Sequence, residues 1–374
     1  MLNNLNDAGM ESFSAKMVKA ETYSKPINIS NNKITNVLNK IASTAQMRFN
    51  TNEIATGIDV HQDFVNKKSA EILGNDALVG AGIFNLSKSE IKKLELSMNE
   101  MKLIRPFYTT VELGRYKADP VNSLFVIYTD SKFKNPEAIE MYPKLKAHLD
   151  RFKSIITSDN KPYGLHRART EDFFKGEKII SLRKCQRPSF AFTDFDCYVS
   201  QTHSSIKTER FNLKFLTAVL NSQLIEFWLR YMGKMQGDLY QIDKEPLLNV
   251  PLIEPDDATP FIKCVESMIE LNSELSIVSN RFRELIMSEF DLNRWSPKLA
   301  DWWLGTFDSF VKTIKSKLTL SQKDELLSVY ADYQSKLMEI HQKIRYTDET
   351  INTLVYKLYQ MDKLDISTIQ ESLA

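Results

Sequence analysis

The stretch "SDNKPYGLHRARTEDFFKGEKIISLRKCQRPSF", Ser158 to Phe190, decides how this chain is read. Its cations, His166, Arg167, Arg169, Lys175, Lys178, Arg183, Lys184 and Arg187, alternate with Phe173, Phe174 and Phe190, and Phe192 follows closely. From Pro143 to Arg187 there are twelve Lys or Arg against five Asp or Glu, in a chain of 374 residues whose net charge is only +1. A neutral protein with one basic segment suits a specific polyanion contact better than general electrostatic stickiness. The plain alternative is a solvated charged face.

Composition excludes several classes. A hydrophobic fraction of 43% and a charged fraction of 26% are those of an ordinary globular protein with room for two or three domains. Cys185, Cys197 and Cys264 show no metal-ligand spacing, and five scattered histidines add no zinc framework. The start lacks the apolar core of a signal peptide. No apolar run approaches the roughly 18 residues that span a bilayer. These features lead us to expect a cytoplasmic protein with no membrane partner.

The chain divides into three parts: a polar segment 1–48, a mixed region 49–257 and a helical region 258–374. The very start is expected to be loosely ordered. Within segment 1–48, Ile34, Val37, Leu38 and Ile41 share one helical face, with Ser30 as N-cap. In the middle region, Ser87/Glu90 and Ser97/Glu100 each form a Ser-x-x-Glu capping box, and the second helix must stop before Pro106. Strand patterns cover Ser123–Thr129 and Lys178–Lys184. "PSFAFT" and "CYVSQTHSSIK", joined by the short "DFD", read as a hairpin over Pro188–Lys207. "NLKFLTAVLNSQLIEFWLRYMG" reads as one buried helix ended by Gly233.

Beyond "NVPLIEPDD" the pattern is helical. Thr259-Pro260 is an N-cap followed by proline at the first helical position. Phe261, Val265, Met268, Leu275, Phe282 and Leu285 lie near heptad spacing. Leu326, Tyr330, Tyr333, Leu337, Ile340 and Ile344 repeat the stripe on a helix after Ser321. Two such stripes form an antiparallel hairpin that buries its own seam. The expected fold class is therefore α+β, a mixed α/β domain followed by a long-helix hairpin or bundle.

Catalytic motifs are poorly matched. "NKPY", Asn160 to Tyr163, is one residue from the Asn-Pro-Pro-Tyr tetrapeptide that amino-methylating DNA methyltransferases place against a flipped base. It lacks the first proline and follows no cofactor-binding turn. "VGAGIF", Val79 to Phe84, contains Gly-x-Gly without an acidic strand end about 20 residues on. "EPDD", Glu254 to Asp257, precedes a helix and has no partnering strand with Glu-x-Lys to hold magnesium. No nucleophile elbow is present.

Binding chemistry remains. Lys161, Tyr163, His166, Arg167, Arg169, Arg183, Lys184, Gln186 and Arg187 come from the basic stretch. Tyr198 and Gln201 lie on the following strand pattern. Lys234, Gln236 and Tyr240 belong to "GKMQGDLYQID". Arginine can clamp phosphate or read guanine bidentately, and the amides and hydroxyls offer donors to base edges. A strand fixes side-chain direction, so Arg183 and Arg187 are expected to read bases. Lys161 and Arg167, on a loop, are expected to hold phosphates.

"LIRPFYTTVELGRY" (Leu103–Tyr116), "PKLKAHLDRFKSII" (Pro143–Ile156) and "PYGLHRARTEDFFKGEKIISLRKCQRPSFAF" (Pro162–Phe192) resemble the TaqI-like C-terminal specificity domain. "YVSQTHSSIK", "LTAVLNSQLIEFWLRYMGKMQGDLYQ" and "LLNVPLIEP" do too, and the similarity runs from about Glu53 to Ile366. That domain is the target-recognition half of adenine DNA methyltransferases and Type IIG restriction–modification enzymes. In them it follows a methyltransferase domain, and often a nuclease domain, which this chain lacks. The resemblance implies a non-catalytic specificity subunit with no cofactor of its own. It would bind double-stranded DNA and a separate methyltransferase or nuclease subunit, which would hold S-adenosylmethionine and magnesium. The alternatives are a helical scaffold whose basic face is incidental or binds RNA, and a fragment of a longer Type IIG enzyme.

Overall fold

The computed structural model describes residues 32–315 and 318–374. The expected N-cap at Ser30 and the expected loose start lie outside them. α1 (Asn32–Thr44) buries Val37, Leu38 and Ile41, the face its spacing marks. Along the chain follow β1 (Ile54–Thr56), α2 (Lys67–Leu73), β2 (Asn85–Ser87), α3 (Lys88–Leu94), α4 (Met98–Met101) and β3 (Ile104–Tyr108). Next come β4 (Leu113–Gly114), β5 (Lys117–Ala118), β6 (Leu124–Ile127) and α5 (Pro143–Asp150). Both capping boxes form: the Ser87 and Ser97 hydroxyls accept from the amides of Glu90 and Glu100, whose carboxylates accept from the serine amides. α4 stops well before Pro106.

β7 (Lys178–Leu182), β8 (Lys184–Cys185), β9 (Phe190–Thr193), β10 (Tyr198–Val199) and β11 (His203–Ile206) carry the basic stretch and its sequel. The expected hairpin does not form. β9 pairs with β7 in an antiparallel sheet of order β1-β11-β7-β9, whereas β10 leaves for a second sheet, β10-β3-β6-β2, parallel to β3. The buried Lys178 explains the divergence, because its Nζ donates to the carbonyls of Gly176 and Phe195 at 2.7 and 2.6 Å. Asp196 accepts from the Gly176 amide and Cys197 N–H donates to the Phe174 carbonyl, so the link is pinned to residues 174–176 and cannot turn back.

The apolar run after Asn212 is two helices, α6 (Leu213–Leu220) and α7 (Gln223–Met232), not one. At the break the Asn221 amide bonds both backbone groups of Phe190, at 3.0 and 2.8 Å. Ser222 caps α7 by accepting from the Ile225 amide. A buried polar pair thus gains more from β9 than from continuing the helix. Gly233 does end α7. β12 (Met235–Gln236), β13 (Leu239–Gln241) and α8 (Lys244–Leu248) complete this region.

α9 (Thr259–Glu289), α10 (Phe307–Ile314), α11 (Leu320–Leu358) and α12 (Lys363–Leu373) follow. Thr259 is the first residue of α9, and Asp257 rather than Thr259 supplies the capping oxygen, accepting from the Thr259 amide at 2.9 Å. α9 and α11 pack together in opposite directions. Phe261, Val265 and Met268 share a core with Ile351, Val355 and Tyr356, while Phe282 and Ile286 share another with Leu326, Tyr330 and Leu337. Ile286 takes the seam position expected of Leu285, which is exposed. The first core also holds α1, α6, α7 and Ile369 of α12.

The two sheets meet at Gly57. β1 runs antiparallel to β11 as far as Thr56 opposite Ser204. The chain then passes to β10: Ile58 N–H donates to the Val199 carbonyl and Gln201 N–H to the Ile58 carbonyl, both at 2.8 Å. A Cβ on Gly57 would lie 2.1 Å from the Ser200 carbonyl oxygen. Gly57→Ala must therefore displace backbone, and should destabilise the protein by about 2–3 kcal/mol in denaturant unfolding.

Candidate nucleic-acid interface

Arg183, between β7 and β8, ties together two loops. Its N–H donates to the Thr202 carbonyl at 2.9 Å, and its carbonyl accepts from Ile242 N–H at 2.7 Å. The second bond extends the pairing of β13 with β8, in which Tyr240 faces Cys185 and Gln241 faces Lys184. Gly237, at φ +59°, turns β12 into β13 in a conformation that suits glycine. Strand alternation buries Cys185 and Tyr240 and exposes Lys184, Gln186 and Gln236. Lys234 is also exposed, 4.0 Å from Asp243.

The Arg183 side chain is fixed. Nε and Nη2 donate to Oδ1 of Asp243 at 2.9 and 2.5 Å, and Nη1 donates to the Gln201 carbonyl at 2.6 Å. Burial alone would raise the Asp243 carboxyl, but the hydrogen bonds from Arg183 and Gln241 outweigh it and hold it below its ordinary value. Arg183, Lys184, Gln201, Thr202, Thr109 and Thr110 line a cleft of about 630 Å³. The threonines enter from the end of β3.

A second flank adjoins this cleft through Asp59, whose backbone pairs with that of Arg167 and whose carboxylate accepts from Gln201 Nε2 at 3.3 Å. His166 packs its ring on His61, with centroids 4.7 Å apart, between Asp159 and Asp59. Arg169, at φ +69°, donates Nε to the Gly57 carbonyl at 3.2 Å, and burial lowers its guanidinium from the ordinary value. Asn160 spends its amide donors on the carbonyls of Leu165 and His166, so it holds its own loop. Lys161 and Arg167 are exposed, and like Lys184 their side chains have no hydrogen-bond or ion-pair partner among the described residues.

Four residues expected at the surface are engaged elsewhere. Tyr163, Tyr198 and Tyr240 are buried. Tyr163 donates its hydroxyl to Asp150 at 2.7 Å, and Tyr198 donates to Glu171 at 2.7 Å while accepting from Arg105 Nε at 3.1 Å. Their rings fill the core: strand alternation turns Tyr198 and Tyr240 inward, and the turn at 161–164 carries Tyr163 into it. Arg187 pairs with Glu226 of α7 at 2.9 Å and Asp348 of α11 at 3.4 Å, and Arg115 joins Asp348 at 2.7 Å. These carboxylates draw Arg187 toward the helices. Asp59, His61, Thr109, Thr110 and Asp243 escaped the sequence reading, since none stands in a basic run.

Residues 105–252 match the TaqI-like C-terminal specificity domain. Residues 254–355 match a domain of unknown function, DUF8810. Among solved structures, the chain is similar to the Type IIL restriction–modification enzyme MmeI, solved in complex with DNA, at 12% identity and a TM-score of 0.49. The match covers 88% of this chain, which spans 36% of that one. No curated protein matches. Among the described residues no cluster of His, Cys, Asp or Glu could hold a metal ion, and no helix is long and apolar enough to cross a membrane.

His203 stands directly behind the Ser200–Thr202 turn, with Nδ1 3.0 Å from the Thr202 hydroxyl. Burial pushes its imidazole down to about 4. A histidine whose folded value is depressed gives stability that is present above its unfolded value, about 6.5, and is lost as pH falls toward 4. Stability should fall by up to about 1.4 kcal/mol per pH unit across that window. Denaturant titrations at successive pH values check this, and the slope should flatten in His203→Asn.

Proposed function

We propose that this chain reads a short double-stranded DNA target as the specificity component of a restriction–modification or related defence system. It directs a methyltransferase or nuclease that resides in another chain. S-adenosylmethionine and magnesium belong to that partner, and this chain contributes no catalytic group. The setting is the cytoplasm.

The observation that carries the reading is the pairing of unlike groups along one surface. Lys161, Arg167 and Lys184 present charge with no partner among the described residues, as phosphate contacts require. Lys184 also lines a cleft whose polar side chains are held in place by hydrogen bonds, as base contacts require. The match to a specificity domain spans this surface apart from Asp59 and His61. Ile277 on α9 and Leu327 and Met338 on α11 are apolar and exposed, which favours a docked partner on the helical hairpin.

Each of Lys161→Ala, Arg167→Ala and Lys184→Ala should weaken binding to all duplexes alike. Each should also lower the dependence of log affinity on log salt by about one unit. Fluorescence anisotropy across a salt series measures both quantities. Three silent substitutions would place the DNA surface elsewhere.

A further inference from the structure

Arg183 differs from the other arginines of the basic stretch in being both fixed and open to the cleft. Arg187 is taken by Glu226 and Asp348 on the helical side. Arg169 is turned back onto the Gly57 carbonyl. Arg167 has no side-chain partner to hold it among the described residues. Arg183 keeps about 28% of its side chain accessible and lines the cleft.

A guanidinium has five N–H donors. In Arg183 three are spent: those of Nε and one of Nη2 on Asp243, and one of Nη1 on the Gln201 carbonyl. Two remain, one on each terminal nitrogen. Paired N–H donors at that spacing match O6 and N7 on the major-groove edge of guanine. Resting on the DNA-reading function above, we infer that Arg183 specifies one guanine of the target, and that Asp243 is the positioning residue that aims it.

The ion pair also decides what Arg183 does not do. Its charge is neutralised by Asp243 at 2.5 Å, so it contributes little to counterion release while keeping its directed donors. A phosphate clamp would have the opposite profile. The alternative, an ion pair that merely fastens β8 to β13, predicts no effect on base preference at all.

The test selects binding sites for the full chain from a randomised duplex pool, then repeats the selection with Arg183→Lys, Asp243→Asn and the double variant. Wild type should select a sequence containing an invariant G·C pair. Both single variants should lose preference at that pair alone, by roughly 10- to 100-fold, and the double variant should lose no more. The salt slope should stay unchanged in Arg183→Lys, which keeps both charges, and steepen in Asp243→Asn, which leaves the cation unneutralised. Replacing that guanine by 7-deazaguanine removes the N7 acceptor without touching the protein. It should weaken wild type similarly and leave Arg183→Lys unaffected. If wild type selects no sequence, the functional reading itself fails. A selected sequence whose every position survives Arg183→Lys and 7-deazaguanine substitution would overturn the inference and leave the function standing.

Discussion

Residues 54–59 can pass from one sheet to the other because nothing but hydrogen stands on Gly57 where it meets the Ser200 carbonyl. The approach lets a single strand bond β11 on one side of the crossing and β10 on the other. From it follow the tight turn at Ser200–Thr202, the pairing of Asp59 with Arg167, and the anchoring of Arg183 to Thr202. Three sequence-distant segments thereby reach one surface. A side chain at position 57 would separate the sheets and scatter the groups that line the cleft.

The basic stretch is less basic in the folded protein than in the sequence. Asp243 takes Arg183, Glu226 and Asp348 take Arg187, and Glu171 takes Lys175. Half-exposed pairs of this kind contribute little to stability. Their effect is directional. They decide which cations stay free to meet a polyanion and which are locked as scaffolding or as oriented donors.

Features set by neighbours a few residues apart were legible in the sequence. The capping boxes at Ser87 and Ser97, the burial of Val37, Leu38 and Ile41, and the α9–α11 seam all depend on local spacing. Features set by distant partners were not. The hairpin over 188–207 was lost to Lys178 and its carbonyls, and the single helix over 212–233 to the bond between Asn221 and Phe190. The same divide runs through the site. Lys161, Arg167, Lys184 and Gln201 can be read from a polar run, whereas Asp243 acquires its meaning only from Arg183, 60 positions away. Leu285 yielded the seam to Ile286 because a 31-residue helix drifts from strict heptad register.

The central claim is that duplex DNA lies along the surface from Asp59 to Asp243. Amide hydrogen exchange of the full chain, with and without a selected duplex, tests it most directly. The account predicts added protection at residues 57–61, 160–169, 183–187, 200–202 and 234–243, and none along α9 and α11. Protection confined to α9 and α11, with those loops unchanged, would contradict it.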